Sequence, residues 1–328
     1  MRRHVPWRSL LRPAVLGCGM AALGACSSEP TRPGDPEAAP GVAGPAHPDA
    51  ATRPNVVVIM SDDQTVSDMR VMTRTRDLIG TPGVIFRNSV VTYALCCPSR
   101  STFLTGQYPH NHGVRSNGSP DGGFAALDHG NTLALWLQEA GYVTGHIGKY
   151  LNGYGAVDPL EVPPGYTEWY ASIHHSAYDY FGYLLNENGT VVAYGDTPDQ
   201  YQADVYTAKA VDFIGRRGPA AAAGQPFFLF VTYLAPHWAG LVQPGDLTPL
   251  SPVPAPRHLG RFSDEVLPKS PAFNEADVSD KPTSMRRLPR LTTAEVGRIG
   301  QSYQRRLESL LAVDEGVAAI VNALQSAG

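Results

Sequence analysis

A continuous apolar run rich in β-branched residues, Val56 to Met60, is the feature that most constrains the fold. It ends abruptly in four polar residues, Ser61-Asp62-Asp63-Gln64. Strands buried on both faces have this composition, and they occur in parallel sheets covered by helices. Ligands of such sheets bind at the carboxyl ends of the strands. We therefore expect Asp62 and Asp63 at a binding edge, as oxygen ligands for Ca²⁺ or Mg²⁺ or, more simply, as turn or cap residues.

The elements predicted further along the chain alternate between helix and strand. The helical patterns cover residues 68–79, 132–140, 201–217 and 293–327, and the strand patterns cover residues 84–91, 142–147 and 227–234. This alternation predicts an α/β fold with a mostly parallel central sheet flanked by helices. Residues 240–290, dense in proline, are predicted to form long surface loops. The aromatic-rich residues 158–199 are either a turn-rich β excursion with core aromatics or a surface that stacks on sugar rings.

Two other predicted strands end in basic side chains. Lys149 follows the strand of residues 142–147, and His237 follows the strand of residues 227–234. A lysine at such a place is usually a solvated loop charge, and a lone histidine is usually a hydrogen-bonded structural residue. Position alone therefore leaves their role open.

Two adjacent cysteines precede a short predicted helix. Pro98 suits its first position and Gly106 the position after its end, so Cys96 and Cys97 lie at its N-terminal mouth. Free N–H groups there favour anions and are expected to lower the pKa of a thiol. Arg100, one turn in, adds a cation that can fork onto an oxyanion. The alternative is that the cysteines are small buried residues and that Arg100 is a surface charge.

The sequence Cys96-Cys97-Pro98-Ser99-Arg100, followed by Leu104-Thr105-Gly106, resembles the signature of the type I sulfatases of the alkaline phosphatase superfamily. In that family a formylglycine-generating enzyme oxidises the first cysteine to formylglycine. The resemblance therefore implies that Cys96 becomes the nucleophile and leaves Cys97 without a role. The strand ending in Asp62 and Asp63 resembles the family's opening strand, whose paired aspartates bind the divalent cation together with the modified cysteine.

The residues Gly148-Lys149-Tyr150-Leu151-Asn152 resemble the N-acetylglucosamine-6-sulfatase and heparan sulfate 6-O-endosulfatase branch of the family. The resemblance implies that Lys149, His237 and Arg100 contact the sulfate group. Many arylsulfatases have a histidine two residues after the lysine, where this chain has Leu151. The role of that histidine stays unassigned here.

A sulfuric ester hydrolase is the function that the resemblance implies, acting on sulfated carbohydrates, 6-O-sulfated N-acetylglucosamine among them, or on aryl sulfates. In the family, the hydrated formylglycine attacks sulfur, and sulfate is expelled when the aldehyde is restored. Three alternatives are an inactive sulfatase-like fragment that binds sulfated glycans, a phosphatase or phosphodiesterase of the same superfamily, and an enzyme that uses the unmodified Cys96 thiol. The net charge of −4 gives no indication of a nucleic-acid partner.

The first 25 residues resemble a lipoprotein signal peptide. Arginines come first, and an apolar run from Ala14 to Ala25 follows that is too short to span a bilayer. Leu23-Gly24-Ala25-Cys26 resembles a bacterial lipobox, which predicts export and a lipid anchor on Cys26 at the cell membrane. The alternative is simple secretion. Residues 26–53, rich in proline, alanine and glycine, are predicted to be a disordered tether.

The resemblance to sulfatases covers residues 54–328. The helical pattern of residues 293–327 has apolar positions that should dock on the sheet, and Gly328 follows it. In sulfatases a further strand then supplies an Asp-Asn or Asp-Gln pair that completes the metal site. We therefore expect residues 54–328 to form only the N-terminal part of the family's domain, which would be incomplete. We also expect the chain as written to hydrolyse sulfate esters poorly.

Overall fold

The computed structural model describes residues 53–240 and 251–328. The predicted signal peptide, Cys26 and the predicted tether, apart from Arg53, lie outside the described residues.

The six strands are β1 Val56–Met60, β2 Val143–Gly148, β3 Glu168–Ser172, β4 Leu184–Glu187, β5 Thr190–Ala193 and β6 Phe227–Thr232. They form one sheet in the order β1-β6-β2-β3-β4-β5. The first four strands in this order are parallel, and β4 and β5 add an antiparallel hairpin at the end. The predicted mostly parallel α/β sheet is confirmed.

The helices lie between these strands and after the last of them. The α-helices are α1 Thr73–Thr75, α2 Cys96–Thr105, α3 Pro109–His112, α4 Leu133–Glu139, α5 Gln202–Ala222, α6 Thr283–Arg286 and α7 Thr293–Ala327. Short 3₁₀ turns cover Val66–Val71, Phe124–Ala126, Pro198–Gln200 and Pro256–His258, and a π turn covers Arg76–Gly80. In the described part of the chain, no helix is both long and apolar enough to cross a lipid bilayer.

Strand β6 shows how the two faces of the sheet are covered. Phe227, Leu229 and Val231 point into one apolar cluster, which includes residues of α5 and α7. Phe228 and Phe230 point into a second cluster with residues of α2 and α4. Because successive side chains of a strand face opposite sides, a run of only apolar residues is what a sheet with helices on both faces requires.

Helix α7 begins with a capping box, in which the Thr292 side chain and Glu295 bond to each other's backbone N–H groups. Its apolar stripe, with Leu307, Leu310 and Ile320 fully buried, lies in the apolar cluster that also contains residues of α5 and β6. A polar residue of α7 also contacts the helical turns that follow β1. Asp314 accepts hydrogen bonds from the backbone N–H groups of Arg74 and Thr75, at 3.0 and 2.7 Å.

Two local predictions for residues 68–91 need correction. The single helix predicted for residues 68–79 is instead three short helical turns, interrupted at Met72, whose backbone is not helical. The strand predicted for residues 84–91 is wrong, since these residues form no strand. A strand needs a neighbour for its N–H and C=O groups, and no described strand pairs with this segment. Its apolar side chains, Val84, Phe86 and Val90 among them, are exposed.

The aromatic-rich residues 158–199 form β3, β4 and β5 with their connecting turns. Trp169, Tyr180 and Tyr183 are almost completely buried, so for these residues the core interpretation is confirmed. Tyr178 differs, because it is only partly buried and lies beside the candidate site. The predicted loop of residues 240–290, as far as it is described, contains only the short turns Pro256–His258 and Thr283–Arg286.

Candidate active site

Three strand ends lie level at one edge of the sheet. Met60 of β1 is paired with Thr232 of β6, and Thr232 is paired in turn with Gly148 of β2. The residues that follow these three strands therefore meet at the same edge, as expected for parallel strands. They include Asp62, Lys149 and His237, the first two of which form an ion pair.

Asp62 is the centre of the site and is almost fully buried. Lys149 donates to its Oδ2 atom, and the Arg100 guanidinium lies 3.4 Å from the same oxygen. Its Oδ1 atom lies 3.5 Å from Cys96 Sγ. Burial raises the pKa of Asp62, but the charges of Lys149 and Arg100 outweigh burial and lower that pKa to about 2. Asp62 is therefore a carboxylate at neutral pH.

Lys149 is buried with only 2% of its surface exposed. Its Nζ atom lies 3.7 Å from Cys96 Sγ and 4.3 Å from the centre of the Tyr178 ring. Burial lowers the pKa of Lys149, but the Asp62 carboxylate more than compensates, so the pKa is raised above its ordinary value. The ammonium group is thus a permanent cation beside Cys96, not the solvated loop charge that lysines usually provide.

Arg100 extends from α2 to the residues that follow β2. Its Nη1 group donates to the carbonyls of Lys149 and, at 3.2 Å, Tyr150. Its buried Nη2 atom makes no hydrogen bond within the described residues, although it lies 3.4 Å from Asp62. One end of the guanidinium is fixed by backbone oxygens, and the other end points to the site with donor capacity that an anion can use.

Cys96 is the first residue of α2, which begins two residues earlier than Pro98 predicted and ends at Gly106 as predicted. The expectation that the helix terminus lowers the pKa of this thiol is wrong. Burial and the Asp62 charge raise the pKa of Cys96, and the opposing effects of Lys149 and Arg100 do not compensate. Electrostatics therefore disfavours the thiolate form of Cys96.

Cys97 has a structural environment, which agrees with the absence of an assigned role. Its Sγ atom accepts the backbone N–H of Asn152 at 3.2 Å, and its own N–H donates to Asn117 Oδ1 at 2.9 Å. Burial raises its pKa to about 11. The thiol therefore fastens the residues after β2 to the start of α2 and stays protonated.

His237 follows a turn after β6 and is buried. Its Nδ1 atom lies 2.8 Å from the Trp238 carbonyl, which can only accept, so the proton of a neutral ring belongs on Nδ1. Its Nε2 atom lies 3.5 Å from Asp63 Oδ2. Burial and the nearby Lys149 charge lower the pKa of His237. A neutral His237 therefore presents a lone pair at Nε2 to the site.

Asp63 occupies the more open side of the site, and about half of its side chain is exposed. Its backbone is left-handed, with a φ of 60°, which turns the chain sharply after β1. Arg306 of α7 holds this turn by donating to the Asp63 carbonyl at 2.6 Å and to the Asp68 carboxylate at 3.1 Å. Sequence reasoning missed Arg306, because no local pattern in α7 marks a contact to a residue so distant in the chain.

A divalent cation would find part of its ligand set here. Asp62 and Asp63 offer carboxylate oxygens, which hard cations such as Ca²⁺ prefer. Among the described residues, one group of three ligand-type side chains meets at metal-binding distance, namely Asp62, Cys96 and His237, whose ligand atoms lie within 4.8 Å of one another. This group includes Asp62 but not Asp63, and a hard cation would prefer an oxygen to the sulfur at position 96.

Comparisons with known proteins identify relatives of this chain. Residues 54–328 match the family model of the sulfatases. Human N-acetylglucosamine-6-sulfatase is 32% identical over 289 residues, which cover 84% of this chain and 49% of that protein. The extracellular sulfatase SULF-1 homolog of Drosophila melanogaster is 31% identical over 283 residues, which cover 84% of this chain and 24% of the relative. The solved structure of BT4656 in complex with its substrate D-glucosamine-2-N,6-O-disulfate has a TM-score of 0.62 and 22% identity, covering 84% of this chain and 63% of that one.

This chain belongs to the sulfatase family, because the family model matches most of its length. The likeness to the solved structure shows that it has the alkaline phosphatase-like fold of that family. The chain spans about half the length of the human relative and about a quarter of the fly relative.

Proposed function

We propose that this protein hydrolyses sulfate esters of carbohydrates, with 6-O-sulfated N-acetylglucosamine as the preferred substrate class. The observation that carries the proposal is the convergence of two buried cations on one nucleophile position. Lys149 Nζ lies 3.7 Å from Cys96 Sγ. The Nη2 atom of Arg100 lies 3.4 Å from Oδ2 of Asp62, the carboxylate beside Cys96. A sulfate ester entering the site would meet preorganised positive charge next to the reacting atom.

Formylglycine at position 96, when formed, supplies a hydrated aldehyde oxygen as the nucleophile. The raised pKa of the Cys96 thiol supports this proposal over a thiolate enzyme, since the unmodified side chain is held in its weakly nucleophilic form. Lys149 and Arg100 bind the sulfate oxygens and keep sulfur within reach of position 96. Burial of both cations excludes water and strengthens their attraction for the sulfate.

Asp62, ionised because its pKa is lowered to about 2, and Asp63 would hold Ca²⁺ or Mg²⁺. The cation would supply Lewis-acid polarisation of the sulfate. His237 Nε2, with its lone pair toward the site, accepts a proton from the attacking hydroxyl group or delivers one to the departing sugar oxygen. Its lowered pKa makes the neutral form available at neutral pH for the first of these steps.

The test is hydrolysis of 4-methylumbelliferyl sulfate and N-acetylglucosamine 6-sulfate by the chain co-expressed with a formylglycine-generating enzyme, with Ca²⁺ present. We expect the aldehyde at position 96 by peptide mass spectrometry and slow but measurable hydrolysis that falls to background in Cys96→Ala. Cys97→Ser is the matched control and should keep the aldehyde. Activity that persists in Cys96→Ala, or sulfate binding without any hydrolysis by the aldehyde form, would contradict the proposal, and the second outcome would indicate a binder of sulfated glycans.

Export and a lipid anchor are part of the same proposal. The Drosophila relative is named an extracellular sulfatase, and the N-terminal residues resemble a lipoprotein signal peptide with Cys26 as the lipidated residue. Labelled palmitate should be incorporated by the full-length protein and lost in Cys26→Ser. Equal labelling of both proteins would remove the assignment of Cys26.

A further inference from the structure

We infer that Tyr178 and Trp238 form an aromatic platform that stacks on the pyranose ring of the substrate. This inference rests on the proposed function, because it places a sugar beside the sulfate group. The two rings are nearly parallel, with centroids 5.6 Å apart and an interplanar angle of 8°. At this separation parallel rings are offset, so Tyr178 covers only part of the Trp238 face, while Lys149 Nζ lies over the Tyr178 ring.

The platform is continuous with the anion-binding groups of the site. Lys149 Nζ lies 4.3 Å from the Tyr178 ring centre, and the His237 ring lies 4.9 Å from Tyr178 and 5.0 Å from Trp238. A sulfate held by Lys149 therefore has an aromatic wall immediately beside it. In a 6-O-sulfated sugar, one methylene group separates the sulfate ester from the ring, so the ring must lie close to the bound sulfate.

The position of the platform is fixed by several hydrogen bonds. Asn152 Nδ2 donates to the Tyr178 hydroxyl oxygen, and the Gly240 N–H donates to the Tyr178 carbonyl at 2.8 Å. His237 Nδ1 donates to the Trp238 carbonyl at 2.8 Å. The residues that follow β2 and β6 therefore hold the two aromatic residues next to the sulfate-binding side chains that these same segments carry.

Exposure and chemistry decide what the platform binds. Trp238 is 40% exposed, whereas Trp169 of the core is fully buried, so the indole offers a free apolar surface beside His237. The C–H bonds on one face of a pyranose carry partial positive charge, and they pack on the negative face of an aromatic ring. Hydroxyl groups at the rim of the sugar stay in water. A sulfated pyranoside uses this surface, whereas inorganic sulfate or a short alkyl sulfate does not reach it.

The test is calorimetric titration of the unmodified chain, which lacks the formylglycine nucleophile, with N-acetylglucosamine 6-sulfate, ethyl sulfate and inorganic sulfate. Trp238→Ala should weaken the affinity for the sugar about tenfold, as expected for a lost aromatic contact, and change the affinities for ethyl sulfate and inorganic sulfate by less than about twofold. Trp238→Phe should restore most of the sugar affinity. Trp136→Ala is the matched control, because Trp136 of α4 is also 40% exposed and is not part of the platform.

The two hypotheses fail in different ways. Unchanged sugar affinity in Trp238→Ala, or an equal loss for the sugar and for inorganic sulfate, would overturn the platform while the sulfate site stands. Lys149→Ala should weaken the binding of all three ligands. No measurable binding of sulfate or its esters by the unaltered chain would overturn the proposed function itself, and with it the platform.

Discussion

The two flanks of the sheet differ in how completely the described chain covers them. The inner flank, made of β6, β2 and β3, is buried almost throughout and carries Lys149 at its edge. The outer flank, made of β1 and residues 81–95, is half-buried in the strand and largely exposed in the segment after it. Within the described residues β1 has β6 on one side and no strand on the other. Lys149 thus rests on desolvated structure, whereas the Asp63 carboxylate lies partly in water.

This difference predicts where substitutions cost stability. Buried charges of the inner flank are paired, so removing one partner leaves the other desolvated and unpaired. Exposed side chains of the outer flank lose little when they are changed. The following substitutions test the contrast, from the largest expected effect to the smallest.

Lys149→Met should lower the free energy of unfolding by about 3 kcal/mol or more, because it leaves the buried Asp62 carboxylate without its closest cation. Urea unfolding at pH 7 measures this loss. The double variant Asp62→Asn with Lys149→Met should recover at least half of it. Asp63→Asn on the outer flank should cost less than about 0.5 kcal/mol. Equal losses in Lys149→Met and Asp63→Asn would remove the distinction between the flanks.

His146 of β2 is completely buried, and burial lowers its pKa to about 3. A histidine with a depressed pKa in the folded state takes up its proton first in the unfolded state. Its neutral form therefore supports the fold above about pH 6.5, and this stability is lost as the pH falls toward 3. Between pH 6 and pH 4, protonation of the unfolded state at His146 should lower the free energy of unfolding of the wild type by about 1.4 kcal/mol per pH unit. His146→Phe should not show this contribution.

Denaturant unfolding at several pH values measures this difference in slope. His110→Phe is the matched control, because it alters an exposed ring and should leave the wild-type slope unchanged. Parallel pH profiles for the wild type and His146→Phe would show that His146 is protonated, or partnered, in the folded protein.

Glu168 of β3 accepts hydrogen bonds from Arg216 at 2.7 Å and from Arg217 at 3.0 Å. Burial raises the pKa of Glu168, but these arginines outweigh burial and lower it to about 2. Glu168→Gln should cost about 2 kcal/mol at pH 7, the order expected for charged hydrogen bonds. Because the folded-state pKa is depressed, this contribution is complete above about pH 5 and is lost as the pH falls toward 2.

Thermal unfolding of Glu168→Gln and of the wild type at pH 7 and pH 3 checks both statements. Asp212→Asn provides the control, since Asp212 pairs with Arg216 but is 64% exposed and should contribute little. A difference between Glu168→Gln and the wild type that grows as the pH falls would contradict the assigned sign.

The smallest effect is expected in residues 84–91 of the outer flank. Phe86 and Val90 are 81% and 89% exposed, so a Phe86→Ser, Val90→Ser double variant should change the free energy of unfolding by less than about 0.5 kcal/mol. Phe228→Ser in β6 should cost several-fold more, because that ring is fully buried. A loss above about 1 kcal/mol in the double variant would show that this segment packs against something in solution.

Sequence reasoning placed Asp62 at the binding edge because polar residues that follow buried parallel strands gather there, whereas Lys149 and His237 were assigned from the resemblance to sulfatases. It failed for residues 84–91, since local β propensity does not reveal whether a neighbouring strand is present. It also gave the wrong direction for the pKa of Cys96. The position in a helix can be read from sequence, but the burial and the facing carboxylate that dominate cannot.

The contacts of Arg306 can form only late in the synthesis of the chain. Asp63 and Arg306 are separated by 243 residues. At a synthesis rate of about 5–20 residues per second, this interval corresponds to roughly 10–50 s during which the turn after β1 lacks its support. Helix α7 also supplies Asp314, which accepts hydrogen bonds from the backbone N–H groups of Arg74 and Thr75. Cys96 precedes Arg306 by 210 residues, so it lies in an unfinished site for most of this interval and is accessible there to any enzyme that modifies it.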